Sequence, residues 1–96
     1  MAITFKRVNV SDKEITIKLT RHAKFKITQR NIDLNDIKQV VLEPELTKPD
    51  KFDSSLIHFI RFIKGKFLRV IGRWESKKDL LVITAFYDRR LIRRNK

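Results

Sequence analysis

Residues 21–44, RHAKFKITQRNIDLNDIKQVVLEP, leave little choice of fold for their part of the chain, because they encode two short helices with a defined junction. At about 100° per residue, Ala23, Ile27 and Arg30 share one narrow sector of a helix, and His22, Lys26 and Gln29 form a polar stripe beside it. Thr20 precedes this helix as an N-cap, and Asn31 tolerates the left-handed backbone needed just past a helix end. A second helix starts at Asp33 as N-cap, with Asp36 near its positive end and Leu34, Ile37, Val40 and Val41 as its buried stripe. Pro44 stops it.

The remaining residues read as strands. Ile15, Ile17 and Leu19 alternate with Thr16 and Lys18, which predicts a half-buried strand feeding the first helix, and an earlier alternation at Ile3 and Phe5 is placed to pair with it. Glu45 to Ser55, with Pro49 and several charges, reads as a loop. LIHFIRFI, a Lys64-Gly65 turn, FLRVIGRWE, a turn at residues 76–79 and LLVITAFY then read as an antiparallel meander.

The order His22-Ala23, then Arg30-x-Ile32, then Ile37 and a closing Pro44, followed by hydrophobic strands, resembles the small family called domain of unknown function 4258. The resemblance covers about Ile15 to Tyr87. That family is grouped with RelE/ParE-like and BrnT-like toxins, whose wider fold includes barnase-like ribonucleases. The resemblance implies an α+β fold, RelE-like, with two N-terminal helices packed on a three- to four-stranded antiparallel sheet. It also implies an RNA-directed toxin, a metal-independent endoribonuclease of a toxin–antitoxin pair that needs no cofactor and is neutralised by an acidic antitoxin protein. Only His22, Ala23, Arg30, Ile32 and Pro44 match the motif position by position, and catalytic residues differ among toxins of this fold, so no catalytic set carries over. Fold-level likeness leaves a non-catalytic nucleic-acid-binding module on the same scaffold as the alternative.

Length and charge agree with that picture. A chain of 96 residues supports one modest core, so a single domain over residues 1–96 is expected, with a basic tail at 88–96. Without cysteine there is no disulfide or thiolate metal site, and two histidines do not assemble an ordinary zinc site. No apolar run reaches membrane-span length and the first residues lack a signal-peptide core, so a cytoplasmic protein with no membrane partner is expected. The 23 Lys and Arg against 11 Asp and Glu give a formal net charge of +12, the footprint of a protein that binds polyanions such as RNA. A solubilising surface charge or a thermophile-like composition gives the same count.

Register decides which side chains share a face. A two-residue Lys64-Gly65 turn sets Phe62 opposite Phe67, Ile60 opposite Arg69 and His58 opposite Ile71. A four-residue loop at 76–79 sets Glu75 opposite Leu80, Arg73 opposite Val82 and Ile71 opposite Thr84. One face then carries Ile57, Phe59, Leu68, Val70, Trp74, Leu81, Ile83 and Ala85 as the core. The other carries His58, Arg69, Arg73 and Thr84 among Ile60, Phe62, Ile71 and Phe86, an open surface suited to RNA phosphates and unpaired bases. Arg69 and Arg73 as ordinary outward strand residues is the plainer reading.

Metal-independent RNA cleavage needs a base, an acid and cations around the phosphorane. His22, His58 and Tyr87 are the proton-transfer candidates. Arg30, Arg69, Arg73, Thr84, Arg89, Arg90, Arg93 and Arg94 are the candidates for binding nucleic acid. His22 reads equally as a helix-start residue bonded to the adjoining strand, Arg30 more readily as a structural partner of a carboxylate, and Tyr87 equally as a core residue with its hydroxyl at the rim. The run DRRLIRRNK is a phosphate-binding tail, an antitoxin-covered segment or a solubilising end. Pro49-Asp50 with Glu75-Ser76-Lys77 meets the letter of a metal-dependent nuclease pattern, but Glu and Lys run into a turn instead of lying along a strand, which makes it a chance match.

Overall fold

Thr20 turns the chain from strand to helix in the computed structural model, which describes residues 2–10 and 13–91, with side chains from Ile15 onward. Before it lie β1 (Ala2–Val10) and β2 (Lys13–Thr20), an antiparallel pair with Ile3 opposite Leu19. The Thr20 hydroxyl accepts from the Ala23 amide at 3.0 Å and so caps α1 (Arg21–Gln29). Asn31 follows at φ 53°, and the Ile32 and Asn31 amides return to the carbonyls of Ile27 and Thr28. This closing motif seats Ile32 in the core and ends the helix cleanly. Asp33 caps α2 (Leu34–Leu42), its carboxylate accepting from the Asn35 amide at 2.8 Å.

Four further strands complete the fold: β3 (Leu46–Pro49), β4 (Ile57–Ile63), β5 (Lys66–Trp74) and β6 (Asp79–Tyr87). The six strands form one mixed sheet in the order β1-β2-β6-β5-β4-β3. The expected all-antiparallel sheet of three or four strands is therefore corrected, since β2 and β6 run parallel, with Ile17 beside Leu80 and Leu19 beside Val82. Alternation of apolar residues marks a strand but does not say which strand lies beside it, and β2 ends up beside the last strand in sequence. The loop expected at Glu45–Ser55 also holds a strand, β3, which pairs with β4 through Leu46–Ile60 and Lys48–His58. All four of its residues are exposed, so it left no alternation to read.

Ala23 and Ile27 of α1 and Ile37, Val40 and Val41 of α2 join one core with Ile17, Phe59, Leu68, Val70, Leu80, Val82 and Ala85 of the sheet. The β4–β5 hairpin has the expected register, with Lys64 and Gly65 both at positive φ. The β5–β6 ladder does not. Ile71 faces Thr84 as expected, but the register slips between Ile71 and Gly72, so Arg73 faces Leu81 and Trp74 faces Leu80. Leu80 and Val82 consequently join the main core in place of Leu81 and Ile83. Gly72 permits the slip, because a Cβ there would stand 2.7 Å from the Leu81 carbonyl oxygen. Trp74 stays at the rim, edge-on to Phe59.

Candidate phosphate-binding site

The sheet face away from the helices is laid out in rows by the strand register: Leu46, Ile60, Arg69 and Phe86 in one, Lys48, His58, Ile71 and Thr84 in the next. Its centre is closed instead of open. Ile60 is 2% exposed and Arg69 only 5%. Asp88 extends the β6 ladder by one residue, its amide donating to the Phe67 carbonyl at 2.8 Å, and this brings its carboxylate beside Arg69. Arg69 donates to one Asp88 oxygen from Nε at 3.0 Å and from Nη2 at 2.9 Å, and Arg90 donates to the other from its backbone and Nε.

The remaining Arg69 nitrogen, Nη1, lies 2.7 Å from His58 Nδ1, and His58 Nε2 lies 2.7 Å from Asp50 Oδ1. A guanidinium has only donors, so Nδ1 accepts and the imidazole proton sits on Nε2, donated to Asp50. The second Asp50 oxygen accepts from the Phe52 and Asp53 amides at 3.0 Å and folds the β3–β4 loop. The hydrogen bond from His58, aided by the Phe52 amide, holds the Asp50 carboxyl below the usual carboxylate range. Burial pushes Asp88 up, but the Arg90 hydrogen bonds and the charges of Arg69 and Arg90 together outweigh it and leave Asp88 lowered as well. Asp50, His58, Arg69, Asp88 and Arg90 thus form one chain in which two carboxylates offset two guanidinium groups. It adds no net attraction for a polyanion.

A cluster of cations lies at the end of β6. Beyond its last pairing with β2, the Ala85 carbonyl takes Arg30 Nη1 as partner at 2.8 Å, so the C-cap residue of α1 stands in for a missing strand neighbour. The same guanidinium sits 5.9 Å from the centre of the Phe86 ring, and Lys66 Nζ sits 5.0 Å from the centre of the Tyr87 ring. With Arg89 these residues line a pocket of about 440 Å³. Three cations from three separate parts of the chain converge there, and among the described residues no carboxylate is in the lining. Each aromatic ring already carries a cation on its face, so the pocket is prepared for an anion more than for a stacked base.

The candidates from the sequence divide accordingly. Arg30, Tyr87 and Arg89 meet in the pocket. Arg69, expected as an open phosphate contact, is buried with its donors committed to Asp88 and His58, and Arg90 is turned onto Asp88. Arg30 bonds a backbone carbonyl where a carboxylate was expected. His58 has both ring nitrogens engaged. His22 is exposed in the first turn of α1 and lines neither the pocket nor the chain of bonds. Thr84 lies in the His58 row, half-buried, and Arg73 is exposed near Asp53. Arg93 and Arg94 lie outside the described residues.

Lys66 was missed, although its place directly after the Lys64-Gly65 turn put it across from the end of β6. Asp88 was read only as part of a basic run, and its setting among arginines was the available signal. Glu75 pairs with Lys18 at 3.5 Å, and Asp50 is engaged by His58. Among the described residues no group of three His, Cys, Asp or Glu is placed to hold a metal ion. Among those residues no helix is long and apolar enough to cross a membrane.

Residues 19–87 match the family model described as Domain of unknown function (DUF4258), and the chain belongs to that family. No curated protein and no solved structure matches it.

Proposed function

We propose that this member of the DUF4258 family is an RNA-directed protein of the RelE/ParE-like toxin type, and that the pocket at Arg30, Lys66 and Arg89 receives a phosphate of the RNA. The observation that carries the reading is the convergence of three cations on one pocket with no acid among the described residues that line it. The formal charge of +12 supplies the long-range attraction for RNA, or for an acidic antitoxin that would cover the same surface.

In its enzymatic form the protein is a metal-independent endoribonuclease. The three cations would stabilise the charged phosphorane, and Tyr87 is the pocket's own group for proton transfer to or from a ribose oxygen. A binding module without chemistry is the second reading, favoured by the absence of any imidazole from the pocket lining.

Single-stranded and ribosome-bound RNA incubated in EDTA separate the two. Cleavage that persists in EDTA and falls about 100-fold or more in Tyr87→Phe, with binding retained, supports the enzyme. Binding without cleavage, lost in Arg30→Ala/Lys66→Ala, supports the module. Binding that is indifferent to Arg30, Lys66 and Arg89 refutes the pocket.

A further inference from the structure

We infer that the outward side of α1 is a track for a single RNA strand that leads into the phosphate pocket, with Phe25 as the ring against which one unpaired base lies, an inference that rests on the RNA reading above. The helix contains Arg21, Lys24 and Lys26 but no acid, and Arg30 follows as its C-cap and donates to the Ala85 carbonyl at the pocket. His22, Lys26 and Arg30 succeed one another at intervals of four, a step of about 6 Å along the axis that carries one polar group per turn toward the pocket. Phe25 stands beside that row and is 61% exposed, although Lys26 Nζ sits 5.8 Å from its ring centre.

This helix is charged against its own electrostatics. Arg21 opens it at the positive end of the dipole, where an acid is favoured and none is present, and Lys24 follows three residues on. Lys26 and Arg30 are like charges one turn apart, a pair that weakens a helix. Among the described residues no carboxylate pairs with Arg21, Lys24 or Lys26. The Thr20 cap and the packed Ala23 and Ile27 hold the helix in place, and its outward side keeps cations that folding does not use. A phosphate backbone laid along that side relieves the repulsion and engages the unused donors.

The form of this side selects a nucleotide strand over a protein helix. A helix docked in an apolar groove anchors through several apolar side chains one turn apart, whereas Phe25 is the single exposed large apolar side chain among the described residues of α1. A lone ring flanked by cations suits an unpaired base whose neighbouring phosphates are held on either side. Phe86 and Tyr87 in the pocket are half-buried, so Phe25 is the ring with open area for a base.

The test measures binding of the full chain to single-stranded RNA long enough to span α1, and to inorganic polyphosphate, which has the charge but no bases. Phe25→Leu keeps an apolar side chain and removes the ring. It should weaken RNA binding about tenfold or more, the scale of one lost base stack, and leave polyphosphate binding unchanged. Lys26→Gln should weaken both and flatten the logarithmic salt dependence for RNA by about 0.7. Arg21→Glu should also weaken both while Tm holds or rises, since an acid suits that end of the helix. Lys66→Ala/Arg89→Ala is the separate check on the pocket. RNA binding that is lost in that variant but unchanged in the three α1 variants, as when the helix face serves an acidic protein instead, leaves the pocket standing and overturns the track. Binding that is absent, or indifferent to both sets, overturns the RNA reading and the track together. Equal losses of RNA and polyphosphate binding in Phe25→Leu also overturn the inference.

Discussion

Replacing Arg69 by Met tests the closed sheet face most directly. The substitution keeps an unbranched, apolar side chain of similar reach but strands the Asp88 carboxylate. In the native pair the two side chains are 7% and 2% exposed, so the charge left behind is buried. Breaking such a pair from one side costs about 3–5 kcal/mol. Arg90 remains on Asp88, but its own side chain is 82% exposed, and an exposed pair recovers about 1 kcal/mol or less. A net loss of about 3–4 kcal/mol follows. Against a domain stability of about 5–15 kcal/mol, this is a large fraction, equivalent to about 12–30 °C in Tm.

The pH dependence gives the result its cause. Asp88 has a folded-state pKa below its unfolded value, so its contribution is complete above about pH 3.9 and is lost as pH falls through the lower native value. Without Arg69 one of the charges that offset burial is gone, and the lowering of Asp88 is weakened. The wild type's advantage over Arg69→Met should therefore be full at neutral pH and narrow below about pH 4. Urea unfolding at both pH values measures this, and Arg69→Met/Asp88→Leu should recover most of the loss. A deficit under about 1 kcal/mol at neutral pH, or an equal deficit in acid, would show that the pair is not buried as described.

Three further outcomes are expected. Gly72→Ala should destabilise by about 2–3 kcal/mol in urea unfolding, because its Cβ meets the backbone of Leu81 and Val82, which cannot swing aside as a side chain would. Asp50→Asn should speed hydrogen exchange at the Phe52 and Asp53 amides at neutral pH; in wild type, where Asp50 is lowered, the same release should appear only in acid below about pH 3.9. Each of Arg30→Ala, Lys66→Ala and Arg89→Ala should flatten the logarithmic salt dependence of single-stranded RNA binding by about 0.7, and Arg69→Met should leave that slope unchanged.

Local chemistry made some elements readable in advance. Thr20, Asn31 and Asp33 marked the helix ends because capping depends on a few neighbouring atoms. Lys64-Gly65 specified the β4–β5 register because a two-residue turn admits one alignment. Across the next turn that logic failed, since the slip comes from a backbone approach at Gly72, six residues before Lys78, and the glycine inside a strand was its sole sign. Arg69 was placed on the correct face but assigned the wrong environment. Its partner Asp88 follows the last strand, where no periodicity announces burial, and the first pattern that drew attention to Asp50 was a metal motif. Arg30 and Lys66 are 36 positions apart in sequence and are brought together by the folded sheet.

The parallel pairing of β2 with β6 has a consequence for how the molecule is made. Thr20 and Ile83, which meet at the end of that pairing, are 63 positions apart, so the two strands find each other only after everything between them has been synthesised. Loop closure over such a span is slow, and the local hairpins and helices can form first. Arg30 comes from before the long interval and Tyr87 and Arg89 from after it, so the anion pocket has no partial form. A nascent chain halted before β6 carries its positive charge but no site at which to focus it.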